Sequence, residues 1–429
     1  MRILLTGASG FIGKHLLHAL LAEGHHVVCA VRKPGTSNNP RLAYIQADFT
    51  KDTDKSVWLA RLSGVDAVIN TVGIFREAGR QTFARLHTDT PRALFAACAE
   101  SDHVQMVIQL SALGADRDAE TRYHLSKKAA DDYLASLPLR SYIVQPSLVY
   151  GKDGASARVF KALASMPFAL RLGSAPQLVQ PIHVDDLTAA LNGLLKHRLA
   201  PGGNGGLAAR VPLVGPQALS FTDYLGALRV AMGMGRLRVL RVPGAIARLF
   251  AKLGRWLPGA MLDQDALRML DRGNSADPTL TANLIGRPPR PVAEFITDPE
   301  LELTRAKLDW LLPILRCGIA AVWIITAIVS FGLYPPAASY ELLARTGIPE
   351  PLRPLMLYGA AAFDLLLGLG ILFLRRRRWL WLAQLALIGF YTVVIAFKLP
   401  EFLLHPYGPL TKNLPMLAAI WLLYQLEEK

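Results

Sequence analysis

Apolar and polar positions along the chain fall into two regimes that meet near residue 300. Before it, short apolar runs alternate with amphipathic stretches. Arg2–Leu5 reads as a short buried strand, and Lys14–Glu23 has helical spacing with Leu16, Leu17, Leu20 and Leu21 on one face. Further strands are expected at His25–Val31, Leu42–Gln46, Val65–Asn70, Gln105–Leu110 and Ser141–Gln145, with helices between them that include Phe83–Glu100 and Thr121–Ser136. This order predicts an α/β fold with a doubly wound parallel sheet. After residue 300, four apolar stretches follow near Leu311–Leu333, Leu355–Leu374, Trp379–Leu399 and Leu410–Tyr424. The first three approach the roughly 20 residues needed to span a bilayer, and the fourth is shorter. A soluble bundle would need polar faces, and these segments have few. They predict an all-α, four-helix transmembrane domain.

Between the first strand and the first helix the chain reads Thr6-Gly7-Ala-Ser9-Gly10-Phe11-Ile12-Gly13. A strand, a glycine turn and a helix make the first half of a βαβ unit. The unpaired N–H groups at the helix start suit a pyrophosphate, and glycines let the backbone approach it. The end of the second strand bears on the choice of dinucleotide. NAD sites usually carry an acid there for the ribose hydroxyl, whereas this chain has Arg32 and Lys33. A cation attracts a 2′-phosphate, so NADP(H) is favoured over NAD(H). The alternative is a solvated basic loop.

Tyr123 and Lys127 stand four residues apart, which puts both on one face of a helix. A phenol is a poor acid or base at neutral pH, and a neighbouring ammonium favours its ionised form. Ser111, at the end of the fifth strand, is placed to hydrogen-bond a substrate oxygen. The opening TGASGFIG and the ordered set Ser111, Tyr123 and Lys127 resemble the short-chain dehydrogenases/reductases, in particular the extended and atypical branches. Pattern by pattern, the first 290 residues look most like the atypical group containing the nucleotide-binding accessory subunit of respiratory complex I. The resemblance implies a Rossmann domain over residues 1–296, with a small substrate lobe mainly within 152–296. It implies that Thr6, Gly7, Ser9, Gly10, Phe11, Ile12, Gly13, Asp48, Thr71, Gly73, Tyr123 and Lys127 hold the cofactor, joined by Arg32 on the charge argument above, with Ser111, Tyr123 and Lys127 catalytic. Asp48 falls where relatives contact adenine, and Asn70-Thr71-Val72-Gly73 matches the motif that lines the cofactor. One departure stands out. His87 lies about where the family often has an asparagine that supports a relay water, and it reads more simply as a packed or exposed helix histidine. Gln145–Gly151 and Gln180–Asp186 also match these branches. Their simpler reading is structural, with Asp185 or Asp186 capping a helix.

Net charge is +14, which suits a phosphorylated cofactor or an anionic membrane surface. Seven basic residues and no acidic one lie between Asp223 and Asp263. Within that stretch Ala245–Leu257 is amphipathic, as an ordinary packed helix or one lying on anionic lipid. Nucleic acid is not expected, because no recognition motif accompanies the charge. The three cysteines are far apart and fit no metal spacing, and no metal is expected. The glycine turn comes too early for the apolar core of a signal peptide.

Residues 297–308 read as a linker, and 309–429 as the membrane domain. Its pattern, including His405-Pro-Tyr-Gly-Pro-Leu-Thr-Lys-Asn413-Leu-Pro, resembles the DoxX-like membrane family. Arg375–Arg378 between the second and third spans should be cytoplasmic. Four spans then put both termini and the Rossmann domain on the cytoplasmic side of the inner membrane. Asp364 lies mid-span and needs a partner; Arg316 and Lys412 are the candidates. The whole chain is expected to be a membrane-anchored NAD(P)H-dependent oxidoreductase for a small hydrophobic, lipid-like or quinone-related substrate. The alternatives are an NADP(H)-binding structural, assembly or redox-sensing protein without turnover, and an epimerase or dehydratase of the nucleotide-sugar type.

Overall fold

Seven parallel strands make the central sheet: β1 (Arg2–Thr6), β2 (His26–Val31), β3 (Leu42–Gln46), β4 (Ala67–Asn70), β5 (Met106–Leu110), β6 (Ser141–Pro146) and β7 (Ala208–Leu213). Their order is β7-β6-β5-β4-β1-β2-β3. The computed structural model describes residues 1–172, 177–196, 208–242 and 264–427. The Leu199–Gly206 loop and the amphipathic stretch Ala245–Leu257 lie outside the described residues. The chain divides into two units, Met1–Ala306 and Lys307–Lys429.

Alternation along β1 explains the first unit. Ile3 and Leu5 point to one face of the sheet and Leu4 to the other, and all three are buried. Ile3 and Leu5 meet Leu16 and Leu20 of α1 (Phe11–Ala22), with Leu187, Leu191 and Leu194 of a further helix at Val184–Lys196. Leu4 meets Leu94, Phe95 and Cys98 of α2 (Thr90–Glu100), with Ala130 and Leu134 of α3 (Arg122–Ser136). Covering both faces is what a parallel sheet requires. The order reverses at β1 and β4, so the strand ends Thr6 and Asn70 border a crevice where ligands bind in such folds.

β7 was not foreseen as a strand. Its sequence carries Pro212, which removes a ladder donor, and the strand duly sits at the sheet edge. The smaller lobe gathers around Tyr150, Tyr224, Leu228 and Phe295. A buried Lys161–Glu302 ion pair joins its helix Ala155–Ser165 to residue 302. Asp186 does not serve as a helix cap. It is fully buried and accepts from the Arg287 guanidinium at 2.5 Å and from the Arg290 backbone N–H at 2.7 Å. Residues 299–308, expected as a linker, belong to the helix Pro299–Ile328.

The second unit is helical. Among the described residues, three helices are long and apolar enough to cross a membrane: Pro299–Leu333, Glu350–Phe373 and Arg378–Lys398. The fourth, Asn413–Leu426, has 14 residues. Trp323, Leu367, Ile371, Trp381, Ile420 and Leu423 form the interior of this unit. Gly368 permits a close approach, since a Cβ there would lie 2.6 Å from Ile324. Outward positions such as Ile314, Leu366, Phe390 and Phe397 are apolar and exposed, as a lipid-facing surface requires. Asp364 is buried but makes neither expected pair. Arg316 instead reaches Glu427 at 3.5 Å, and among the described residues the Asp364 Oδ1 has no hydrogen-bond partner.

Candidate active site

The glycine turn is shaped by contact as much as by flexibility. Gly7 has φ +76°, and a Cβ on it would lie 2.6 Å from the Thr71 hydroxyl. A Cβ on Gly13 would sit 2.1 Å from the Gly7 carbonyl oxygen. Gly10 is different: it is exposed, and a Cβ there would meet only the Gly7 oxygen at 3.2 Å. It begins α1, and no side chain caps that end and no acid lies in the first turn. Those N–H groups fit a pyrophosphate.

Thr6 and Thr71 are spent internally. The Thr6 hydroxyl donates to Asn70 Oδ1 at 2.5 Å, and Asn70 Nδ2 donates to Gln109 Oε1 at 2.7 Å. These three residues are register neighbours on β1, β4 and β5, so a buried polar line ties the strand ends together. The Thr71 hydroxyl donates to the Thr6 carbonyl at 2.7 Å. Ser9 is exposed, Ile12 is half-buried, and the half-buried Phe11 ring lies over Gly151 and Gly154. Arg32 is exposed just beyond β2. The Asp48 carboxylate accepts from the Thr50 N–H at 2.9 Å and hydroxyl at 2.8 Å. Burial opposes its ionisation, but Thr50, Lys51 and Arg32 together hold it below the usual range.

Tyr123 and Lys127 follow Thr121, whose hydroxyl caps α3. Lys127 is buried, and its Nζ donates to the carbonyls of Val72 at 3.2 Å and Leu110 at 3.0 Å. Gly73 makes room for it, as a Cβ there would lie 3.1 Å from Nζ. Burial pushes the Lys127 ammonium down to about 8 against the pull of Asp131. The half-buried Tyr123 ring is stacked by Phe75 at 5.0 Å, with His87 edge-on at 5.6 Å. Burial, with the Asp131 charge, raises its phenol rather than lowering it. The expected help from Lys127 does not prevail here, because that ammonium is directed at two carbonyls.

Two residues carry more of the site than their sequence positions suggest. Pro91 has no N–H for the His87 carbonyl four residues earlier and crowds it. The chain takes a wider, π-type turn over Ala84–Asp89, and His87 is buried within it. Its Nε2 accepts from the Ile74 N–H at 2.9 Å, and its Nδ1 lies 2.9 Å from the Ser126 hydroxyl. Ser126 donates its own proton to the Tyr123 carbonyl at 2.8 Å, so Nδ1 is the donor and the ring is neutral. Burial, aided by Lys127, pushes the imidazole down to about 2. His87 thus joins the loop after β4 to α3. Asp131 is the second. It is fully buried, four residues past Lys127 on the same face, and accepts the Ser111 hydroxyl proton. Ser111 is therefore committed to Asp131. The spacing 123, 127, 131 was visible in the sequence; the contact with Ser111 was not.

Residues 7–166 match a family described as NAD(P)H-binding, and residues 320–421 match the DoxX-like family. The chain is an NAD(P)-binding Rossmann domain fused to a DoxX-like domain. Ceramide reductase of Caulobacter vibrioides is 29% identical over 191 residues, 44% of this chain and 59% of that protein, so the match spans about three-fifths of the relative's length. An epimerase family protein of Staphylococcus epidermidis is 23% identical over 47% of this chain and 73% of its own. Among solved structures, a nucleoside-diphosphate-sugar epimerase of Staphylococcus aureus superposes with a TM-score of 0.55 at 17% identity, covering 70% of this chain and all of that one. At that identity the likeness is one of fold. The Rossmann domain is thus reductase- and epimerase-like, and the three apolar helices with the DoxX-like domain mark a membrane-embedded protein.

Proposed function

We propose that the protein is a membrane-anchored, NADP(H)-preferring oxidoreductase of the short-chain dehydrogenase/reductase type, acting on a hydrophobic, lipid-like substrate. The observation that carries this reading is the contact chain from the glycine turn to the helix: Gly7 lies against Thr71, and Gly73 against Lys127, with Tyr123 one turn away. Residues of the glycine turn and Lys127 would hold a dinucleotide whose nicotinamide would supply or accept hydride. Tyr123 gives a proton to the substrate oxygen on reduction and takes it back on oxidation. Lys127 holds positive charge beside the strand ends, and burial brings its ammonium down to about 8, within reach of tuning by a bound ligand. Arg32 recognises a 2′-phosphate. The name of the ceramide reductase relative supports a lipid-like substrate, as does the exposed Phe75 stacked on Tyr123. The basic run Arg375–Arg378 supports a cytoplasmic Rossmann domain.

Full-length protein in detergent, as wild type, Tyr123→Phe and Lys127→Ala, tests this. All three forms should be titrated with NADPH, and a strain lacking the wild-type copy should be complemented with each. Retained NADPH binding with lost complementation in Tyr123→Phe is the expected result. Full complementation by that variant would replace hydride chemistry with a binding or assembly role. Absence of NADPH binding in the wild type would remove both readings.

A further inference from the structure

We propose that Asp131 sets the direction in which the Ser111 hydroxyl points its proton, and so decides whether Ser111 meets the substrate oxygen as acceptor or donor. The inference rests on the oxidoreductase reading of the site and assigns Asp131 as a positioning residue within it.

The geometry is specific. Ser111 follows β5 and is buried, and its single hydroxyl proton is given to Asp131 Oδ2. A serine so engaged presents lone pairs to whatever else it meets. It accepts from a substrate hydroxyl, but it opposes a substrate carbonyl, which also offers lone pairs. Reduction of a ketone needs donors around the oxygen where negative charge develops, and Tyr123 is one of them. A second donor arises if Asp131 takes a proton. The carboxylic acid then donates to Ser111 Oγ, and Ser111 turns its own proton to the substrate. The Asp131 proton stays shared between Oδ and Oγ, and the proton that reaches product comes from Tyr123.

Asp131 is built to do this. It is fully buried, and its Oδ1 has no hydrogen-bond partner among the described residues. A carboxylate left half-satisfied in a dry interior is readily neutralised by protonation. The groups facing it are Lys127 and Asp132 from α3, Tyr123 from the same helix, Ser111 from beyond β5, and Arg210 from β7, whose Nη1 is 3.9 Å from Oδ2. Arg210 is turned chiefly to Asp132, at 2.6 Å, and gives Asp131 no hydrogen bond of its own. Burial raises the carboxyl to about 6, against Ser111, Lys127 and Arg210. A small change in surroundings therefore moves it across the working range.

Infrared difference spectroscopy across a pH titration of full-length protein reads the switch without turnover. The wild type should show a protonated-carboxyl band that is lost as pH rises through about 6. Ser111→Ala should shift that band, because its hydrogen-bond partner is gone, and Asp131→Asn should abolish it. No such band in the wild type, or a band unmoved in Ser111→Ala, overturns the proposal. The Ser111→Ala comparison stands even if Asp131→Asn fails to fold. Once a ketone is turned over, its kcat should fall by about tenfold per pH unit above that value, and a profile without that fall overturns the proposal too. The spectroscopic arms separate the two ideas. A titrating, Ser111-dependent band in a protein that transfers no hydride would leave the switch standing and remove the reaction.

Discussion

His87 makes the clearest case at the scale of single residues. Its Nε2 accepts and its Nδ1 donates, so the fold needs the neutral ring. Its folded pKa, about 2, lies below the unfolded value of 6.5. The stability it contributes is therefore complete above pH 6.5 and is lost as pH falls toward 2, at about 1.4 kcal/mol per pH unit for one such group. His87→Gln keeps an acceptor and removes the titration. Thermal unfolding in detergent at pH 7, 6 and 5 should give a flatter acid dependence than the wild type, and an unchanged slope would exclude His87 as its source. The residue itself was plain in the sequence, but its inward position was not. That position depends on the wide turn ahead of Pro91 and on packing against α3, neither of which a helical pattern encodes. Asp131 is silent in the sequence for a similar reason: its meaning lies in Ser111, 20 residues away.

At the scale of elements, the strand–turn–helix at the N-terminus was readable because three local signals agreed: an apolar strand, glycines at fixed spacing, and an amphipathic helix. The second and third glycines differ in what they meet. Gly13→Ala drives a Cβ into backbone, so NADPH affinity in a fluorescence titration should fall by more than about tenfold, roughly 1.4 kcal/mol. Gly10→Ala meets only a 3.2 Å contact in the protein, so a comparable loss there would locate the dinucleotide over the exposed start of α1. Beyond β2, Arg32→Ala should weaken NADPH by about ten- to a hundredfold, the worth of a charge-assisted hydrogen bond, and leave NADH within about twofold. Equal losses for both would make Arg32 a general basic residue. The edge strand β7 was hidden by its Pro212 and by its distance from the other strands, which local periodicity does not bridge.

For the whole molecule, the change of regime near residue 300 was legible because lipid and water demand different compositions. The number of spans was less so. A helix of 14 residues is about 21 Å long, short of a hydrocarbon core of about 30 Å. Four spans return the C-terminus to the cytoplasm, whereas three leave it outside. A C-terminal fluorescent-protein fusion should be bright and an alkaline phosphatase fusion inactive; the reverse would demote Asn413–Leu426 to a helix that does not cross. The central claim, that the site on the Rossmann domain moves hydride onto a lipid-like molecule, is tested most directly by isotope. Full-length protein is incubated with NADPH carrying deuterium at the nicotinamide C4 and with a total lipid extract, and the lipids are analysed by mass spectrometry. Deuterium should enter a lipid with wild type and fall by about a hundredfold or more with Tyr123→Phe. Equal labelling by the two proteins, or none by the wild type while NADPH is bound, would contradict the account.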